Sequence, residues 1–273
     1  MLPGERQYDV IILAGYATEP DALSLETGEP CKALLPLKGR PMVSYVLSAL
    51  RASGRMRRLV LVGLSSEQLG ETFTDIPVVH LPNRHDTVDN MLAGIEALGD
   101  ADWVLFCSAD IPLLTPEAIR DFLARCEATS ADLYYPIVSR EDMERRFPGS
   151  GRSFRQLVDG WFAGGDIYLV RPQLVQAHAA FARTLTARRK SAWGLARALG
   201  LEIILRFLIH RLRIADLERR ANKILQCTCK AIISPYPELA MDVDKPKHLK
   251  IVLQALSANQ LRGEHEDLEK PPC

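Results

Sequence analysis

Tyr8-Asp9-Val10-Ile11-Ile12-Leu13-Ala14-Gly15, with Glu29-Pro30-Cys31-Lys32-Ala33-Leu34-Leu35-Pro36-Leu37-Lys38-Gly39-Arg40-Pro41-Met42 a short way behind it, is the stretch from which the rest of the chain can be read. Val10 to Ala14 is apolar without alternation, as in a parallel strand covered on both faces. Its small end, Ala14-Gly15, lets a ligand come close to the backbone. The second segment carries Lys32, and a Lys-Gly-Arg-Pro turn leads from it into a helix. A strand that opens into a loop and returns with a lysine is suited to handling phosphate.

The same alternation continues outward. Met42 to Ala52 has Val43, Val46, Leu47 and Leu50 on one helical face. Strands are expected at 58–63, 76–81 and 103–108, and a helix at 88–98. Thr115 caps a helix that starts with Pro116 and runs to about Glu127. This β-α-β-α order predicts an α/β fold, a Rossmann-like, doubly wound, mostly parallel sheet. Such sheets bind ligands at the carboxyl ends of their strands, where Ala14-Gly15 and Ala109-Asp110 stand.

The second half departs from this rhythm. Strands are expected at 132–138, 162–170 (broken near its start by Gly164-Gly165) and 231–234, and Arg140 to Arg155 reads as a charged loop or hairpin. Helices around 172–184, 192–199, 201–212 and 214–224 form a helical insertion, about 171–229, in one domain spanning 1–257. A last helix is expected to end near Ser257, with 258–273 a polar, disordered tail.

Composition narrows the function classes. The chain has 273 residues, with Lys+Arg and Asp+Glu at 34 each, so nothing in the balance points to nucleic acid. No basic-then-apolar leader is present and a cytoplasmic setting is expected. The most apolar run, Leu201 to Leu212, is interrupted by Glu202, Arg206, His210 and Arg211 and is too short and too charged to span a bilayer. The six cysteines lack zinc-site spacing, and the histidines lack a His-x-x-x-His pair. Cys107, inside an apolar strand, reads as core.

Three carboxylates remain: Asp110 after a strand, and Asp242 and Asp244 just before a helix. Alone, Asp110 would simply end its strand and Asp244 would cap its helix. Together with Lys32 they suit a Mg²⁺ ion, which takes few carboxylates and leaves room for phosphate oxygens.

In that order the residues resemble a nucleotidyltransferase family, the MobA-like and methylerythritol-phosphate cytidylyltransferase type. Its pattern opens Leu-Ala-Gly, then Pro-Lys-x-Leu-x-x-Leu-x-Gly-x-Pro-Met, and here Leu13-Ala14-Gly15 precedes Lys32 to Met42. Asp110-Ile111-Pro112 matches the Asp-x-Pro element, and Asp242 to Leu249 matches the closing Asp-x-Asp-x-Pro-x-x-Leu. Arg84 to Val88 resembles a nucleotide-contacting segment, and Gly164-Gly165 a pair on the acceptor side. The loop after Gly15 departs from the pattern, with no second glycine and no arginine; Lys38 and Arg40 are candidates to replace it.

The resemblance implies transfer of a nucleoside monophosphate from an NTP to a phosphorylated or hydroxyl acceptor, with Mg²⁺ as cofactor and pyrophosphate released. Lys32 and Asp110 would be catalytic, Asp110 and Asp244 would hold the metal, and Leu13, Ala14, Gly15, Lys32, Arg84 and Thr87 would bind nucleotide. Gly164, Gly165 and Lys190 would face the acceptor, with Arg183, Arg188, Arg189 and Trp193 either gripping it or forming a solvated helix end and small core. The apolar 201–212 helix is open to four readings: core packing, a cover for the site, a homodimer contact, or a membrane-surface contact near a lipid-like acceptor. A glycosyltransferase of the related GT-A fold and a non-catalytic nucleotide-binding regulator are the competing readings.

Overall fold

A computed structural model describes residues 5–16, 22–69, 77–188 and 200–268. In chain order the strands are β1 (Tyr8–Leu13), β2 (Pro36–Leu37), β3 (Arg40–Pro41), β4 (Met56–Val62), β5 (Val78–Leu81), β6 (Val104–Ser108), β7 (Leu133–Ser139), β8 (Arg155–Leu157), β9 (Gly160–Gly164), β10 (Ile167–Val170) and β11 (Cys229–Ser234). The helices are α1 (Ala22–Thr27), α2 (Met42–Ala52), α3 (Ser66–Leu69), α4 (Thr87–Leu98), α5 (Pro116–Glu127), α6 (Arg140–Arg146), α7 (Pro172–Ala177), α8 (Ala179–Arg188), α9 (Leu201–Leu208), α10 (Ile214–Leu225) and α11 (Pro246–Leu268).

The main sheet runs β5-β4-β1-β6-β10-β7-β9-β8, with β11 also paired to β7. It is parallel over β5-β4-β1-β6 and at β7–β11, and antiparallel where β10 and β9 enter. The Rossmann-like expectation holds, with a mixed second half.

The apolar run of β1 has a simple cause. Val10 and Ile12 pack on one side with Val43, Leu47 and Phe122 of α2 and α5. Ile11 packs on the other with Ile95 of α4 and with Phe106. Helices on both faces leave no solvated side, so period-two alternation disappears. Helix α4 can lie this close because Gly94 faces Ile11, where a Cβ would come 2.8 Å from Cγ2.

Asp9 is the exception in β1. It is buried and receives both guanidinium groups of Arg57 and Arg58. Burial alone would raise its pKa, but hydrogen bonds from Arg58 and Arg57 outweigh that and hold the carboxyl below its ordinary value. Asp9→Ala removes a charged acceptor but leaves two arginines that water can reach, so the expected loss is about 2 kcal/mol. The sign follows from linkage: a lowered carboxylate pKa stabilises above the unfolded value of about 4 and stops doing so as pH falls through the folded value. Urea unfolding should therefore separate variant from wild type at neutral pH and not in strong acid. Equal stability at neutral pH would refute this account.

Local signals fixed several boundaries. Helix α5 is capped by Thr115, whose Oγ1 accepts from Ala118 N at 3.2 Å, with Pro116 in its first turn. Residues 140–146, expected as part of a loop or hairpin, form a helix instead. Ser139 caps it, Arg145 pairs with Glu141, and Met143 is buried beneath. An antiparallel hairpin follows it at 155–164. The expected strand 162–170 is two strands, split at Gly165-Asp166, because β9 and β10 pair with different parts of β7.

In the insertion, the expected 172–184 helix is divided into α7 and α8, and α9 ends at Leu208 rather than Leu212. The expected helix 192–199 lies outside the described residues. Helix α11 continues to Leu268, so the backbone of 258–268 is helical rather than an irregular tail, while 269–273 lie outside the described residues.

Candidate active site

Four chain segments converge at the carboxyl end of the parallel strands. Beyond β1, Ala109 N donates to Leu13 O at 3.1 Å and Ala14 N to Val62 O at 2.8 Å, fixing the exits of β1, β4 and β6 side by side. Gly63 is required there: its φ is 111°, and a Cβ would lie 2.7 Å from Gly15 N. Val243 N donates to Asp110 O at 2.9 Å, which brings the segment before α11 to the end of β6.

This backbone clasp gathers the charged groups. Lys32, on a short 3-10 turn, places Nζ 3.0 Å from Asp110 Oδ2 and 2.6 Å from Asp244 Oδ1. Ser108 donates its hydroxyl to Asp110 Oδ1 at 2.5 Å. Asp110, Asp242 and Asp244 each present a carboxylate oxygen within 4.8 Å of the others. The family resemblance gives the metal to Asp110 and Asp244 and no role to Asp242. In the structure it is buried and paired with Arg152, whose side chain also faces Asp166 at 3.9 Å.

Two cations and four carboxylates thus stand together, and three of the carboxylates are shifted in different ways. Burial holds Asp242 up to about 7, with Asp244 beside it adding to the rise. In Asp244 burial is outweighed by the hydrogen bond from Asp242 and by Lys32, so it falls to about 2. Burial, then the charges of Asp242 and Asp110, raise Asp166. Burial works against the Lys32 ammonium, but Asp110 and Asp244 overcome it and raise its pKa. A permanently charged lysine and an excess of carboxylate are what a divalent cation with a polyphosphate would meet. Three hard carboxylate oxygens, one each from Asp110, Asp242 and Asp244, lie within 4.8 Å of one another, so the residues fit an ion such as Mg²⁺.

A second cluster flanks Gly15. Asn90 Nδ2 donates to Asn83 Oδ1 at 3.1 Å, and Asn83 Nδ2 to Tyr16 O at 2.7 Å. Arg84 N donates to Asn90 Oδ1 at 2.8 Å. A Cβ on Gly15 would collide with Asn90 Nδ2, so the residue must be glycine for this amide network to form. The network brings Gly15 together with the Arg84 backbone and with α4, whose first residue is Thr87.

Gly164 and Gly165 have a structural reason to be small. A side chain on Gly164 would strike the Tyr135 hydroxyl, and one on Gly165 would lie 2.9 Å from Leu239 O. Their strand break places Asp166 beside β6, where Ser108 N donates to Asp166 O at 2.9 Å. Lys190, Arg189 and Trp193 lie outside the described residues, as do residues 17–21 of the altered loop. Arg183 is taken by Asp89 at 2.5 Å, and Arg40 by Ser48 at 3.0 Å and the face of Tyr45. Cys107 is fully buried and burial pushes its thiol up, as a core residue requires.

Asp166, Arg152, Asn83 and Asn90 were missed from the sequence. Gly164-Gly165-Asp166 at a strand break was a usable signal for the first; the others had none.

Comparison with known proteins bears on the family and the fold. Residues 10–225 match the model of the MobA-like NTP transferase domain. The bifunctional protein GlmU of Rhodospirillum rubrum is 34% identical over 111 residues, 40% of this chain and 24% of that protein. The 2-C-methyl-D-erythritol 4-phosphate cytidylyltransferase of Ralstonia nicotianae is 33% identical over 138 residues, 46% of this chain and 52% of that one. The chain therefore spans between a quarter and a half of the length of these curated relatives. A hypothetical transferase structure from Thermus thermophilus superposes with a TM-score of 0.77 and 36% identity, covering 89% of this chain and 99% of that one. A CMP:2-keto-3-deoxy-manno-octonic acid synthetase complexed with CTP shares the fold at 13% identity, TM-score 0.61, over 93% of this chain and 99% of that one. With a match over residues 10–225, the chain belongs to the MobA-like NTP transferase family.

Proposed function

We propose that this chain is a Mg²⁺-dependent nucleotidyltransferase that moves a nucleoside monophosphate from an NTP to an acceptor phosphate or hydroxyl. One observation carries the reading: the Lys32 ammonium lies between Asp110 and Asp244, with Asp242 completing a cluster of three carboxylates. Mg²⁺ on Asp110 and Asp244 would supply charge neutralisation for the phosphates. Lys32 then leaves the carboxylates and binds the phosphate oxygens as negative charge builds on them. The Ala14-Gly15 backbone and the 83–87 segment hold the nucleotide across the end of β1. Ser108 fixes one oxygen of Asp110 and leaves the other to act. The acceptor oxygen forms a bond to the α-phosphorus, the α–β bridging bond breaks, and pyrophosphate leaves. Positioning accounts for most of the acceleration, because little covalent chemistry falls to the protein.

The test is pyrophosphate release from each of the four NTPs with Mg²⁺ and a pool of phosphorylated and hydroxyl acceptors. Release should occur with one preferred NTP and stop on chelation. Hydrolysis of a nucleotide-sugar without pyrophosphate would favour a glycosyltransferase. Tight NTP binding with no turnover on any acceptor would favour a regulatory role.

A further inference from the structure

Leu201, Leu205, Leu208 and Ile209 are 70%, 57%, 67% and 52% exposed, and they are four of the ten exposed large apolar side chains among the described residues. Their spacing puts them on one stripe of α9 and its C-cap, while Ile203 faces inward and is buried. The stripe is joined to the hairpin after Arg152: Val158 N donates to Leu212 O at 2.9 Å, and Val158 is itself 48% exposed.

Charge around the stripe is one-sided. Residues 201–223 contain six Lys and Arg against three Asp and Glu, in a chain whose net charge is zero. The acids are consumed locally, since Asp216 takes Arg206 and Arg219, Glu218 takes Lys230, and Glu202 takes Arg206. Arg211 and Arg213 are exposed just beyond the last apolar residues, and neither guanidinium has an acidic partner among the described residues. Beside α9 a hollow is lined by Arg206, Arg219, Arg220 and Lys223 together with Glu202 and Asp216, which pair with Arg206 and Arg219.

We infer that α9 lies in the surface of an anionic bilayer, leucines among the acyl chains and arginines at the phosphate headgroups. A short amphipathic helix with an apolar face and a basic rim has the composition for this. No helix among the described residues is long and apolar enough to cross a membrane, so the contact is peripheral. A second copy fits less well. A stable dimer buries about 800 Å² per partner, which four aliphatic side chains do not provide, and a two-fold pair would set the basic rims together. This inference does not depend on the nucleotidyl-transfer reading.

The experiment is co-flotation of the full chain with vesicles of phosphatidylcholine alone or mixed with phosphatidylglycerol, at about 0.1 M salt, where surface charge still acts over about 10 Å. Binding is expected on the mixed vesicles and should weaken steeply with added salt. Leu205→Glu/Leu208→Glu and, separately, Arg211→Glu/Arg213→Glu should each lower the partition coefficient at least about tenfold with an unchanged melting temperature, since these side chains are exposed. Failure to float with the anionic vesicles would overturn the inference, as would equal binding by both variants. It would also fall if the chain formed a concentration-dependent dimer in light scattering that Leu205→Glu/Leu208→Glu dissolved.

Discussion

Asp110→Asn should reduce nucleotidyl transfer by about 10³-fold while leaving the fold intact. The amide keeps the shape of the side chain and removes its charge. Lys32 then loses its partner at 3.0 Å, and a divalent ion loses one of the carboxylates that face it. An electrostatic contact of this kind is worth about 10²–10³ in turnover, and loss of metal affinity adds to it. Stability should hold or rise, because Asp110 adds to the unfavourable charge on Asp242 and Asp166. Single-turnover kinetics with saturating Mg²⁺ would read the first effect, Mn²⁺ binding by electron paramagnetic resonance the second, and thermal melting the third. Wild-type turnover in this variant would end the assignment of Asp110.

Lys32→Ala should cost a comparable factor, about 10³, by a different route. The three carboxylates remain, so Mn²⁺ binding should persist, whereas the cation proposed to meet the developing phosphate charge is gone. The variant should also melt lower, since Asp110 and Asp244 lose the ammonium that lies between them. Lys32→Arg should not restore the rate: the lysine side chain is 25% exposed between two carboxylates, and a planar guanidinium cannot reproduce a point charge at 3.0 and 2.6 Å from both. Asp110 and Asp244 raise the pKa of Lys32 in the free enzyme, so no lysine limb should appear on the alkaline side of the kcat/KM profile. Retention of Mn²⁺ binding together with loss of turnover separates the two residues. Loss of both in Lys32→Ala would mean that the lysine only holds the carboxylates in place.

Much of the framework was legible because it depends on short-range physics. Helix α2 covers 42–52 and α5 covers 116–127, as their apolar spacing and, for α5, its Thr115-Pro116 start require. Residues 140–146 were misread because six of the seven are charged, and a charged run looks like a loop until the Ser139 cap and the burial of Met143 are seen. Gly164-Gly165 stands out in the sequence as a glycine pair, but its packing against Tyr135 and Leu239 depends on how β9 and β10 share β7.

Composition and spacing were enough for the alternating α/β order and the buried first strand, and the family pattern marked Lys32, Asp110 and Asp244 as candidates by residue type and order. Only the tertiary structure decided how the charge in that set is divided. Arg152 is 90 residues from Asp242, and Asp166 reaches the end of β6 through a strand break, so no local spacing could reveal that one guanidinium serves both carboxylates. Periodicity and caps are written within a few residues, whereas the partner and pKa of a buried charge depend on which distant segments the sheet brings beside it.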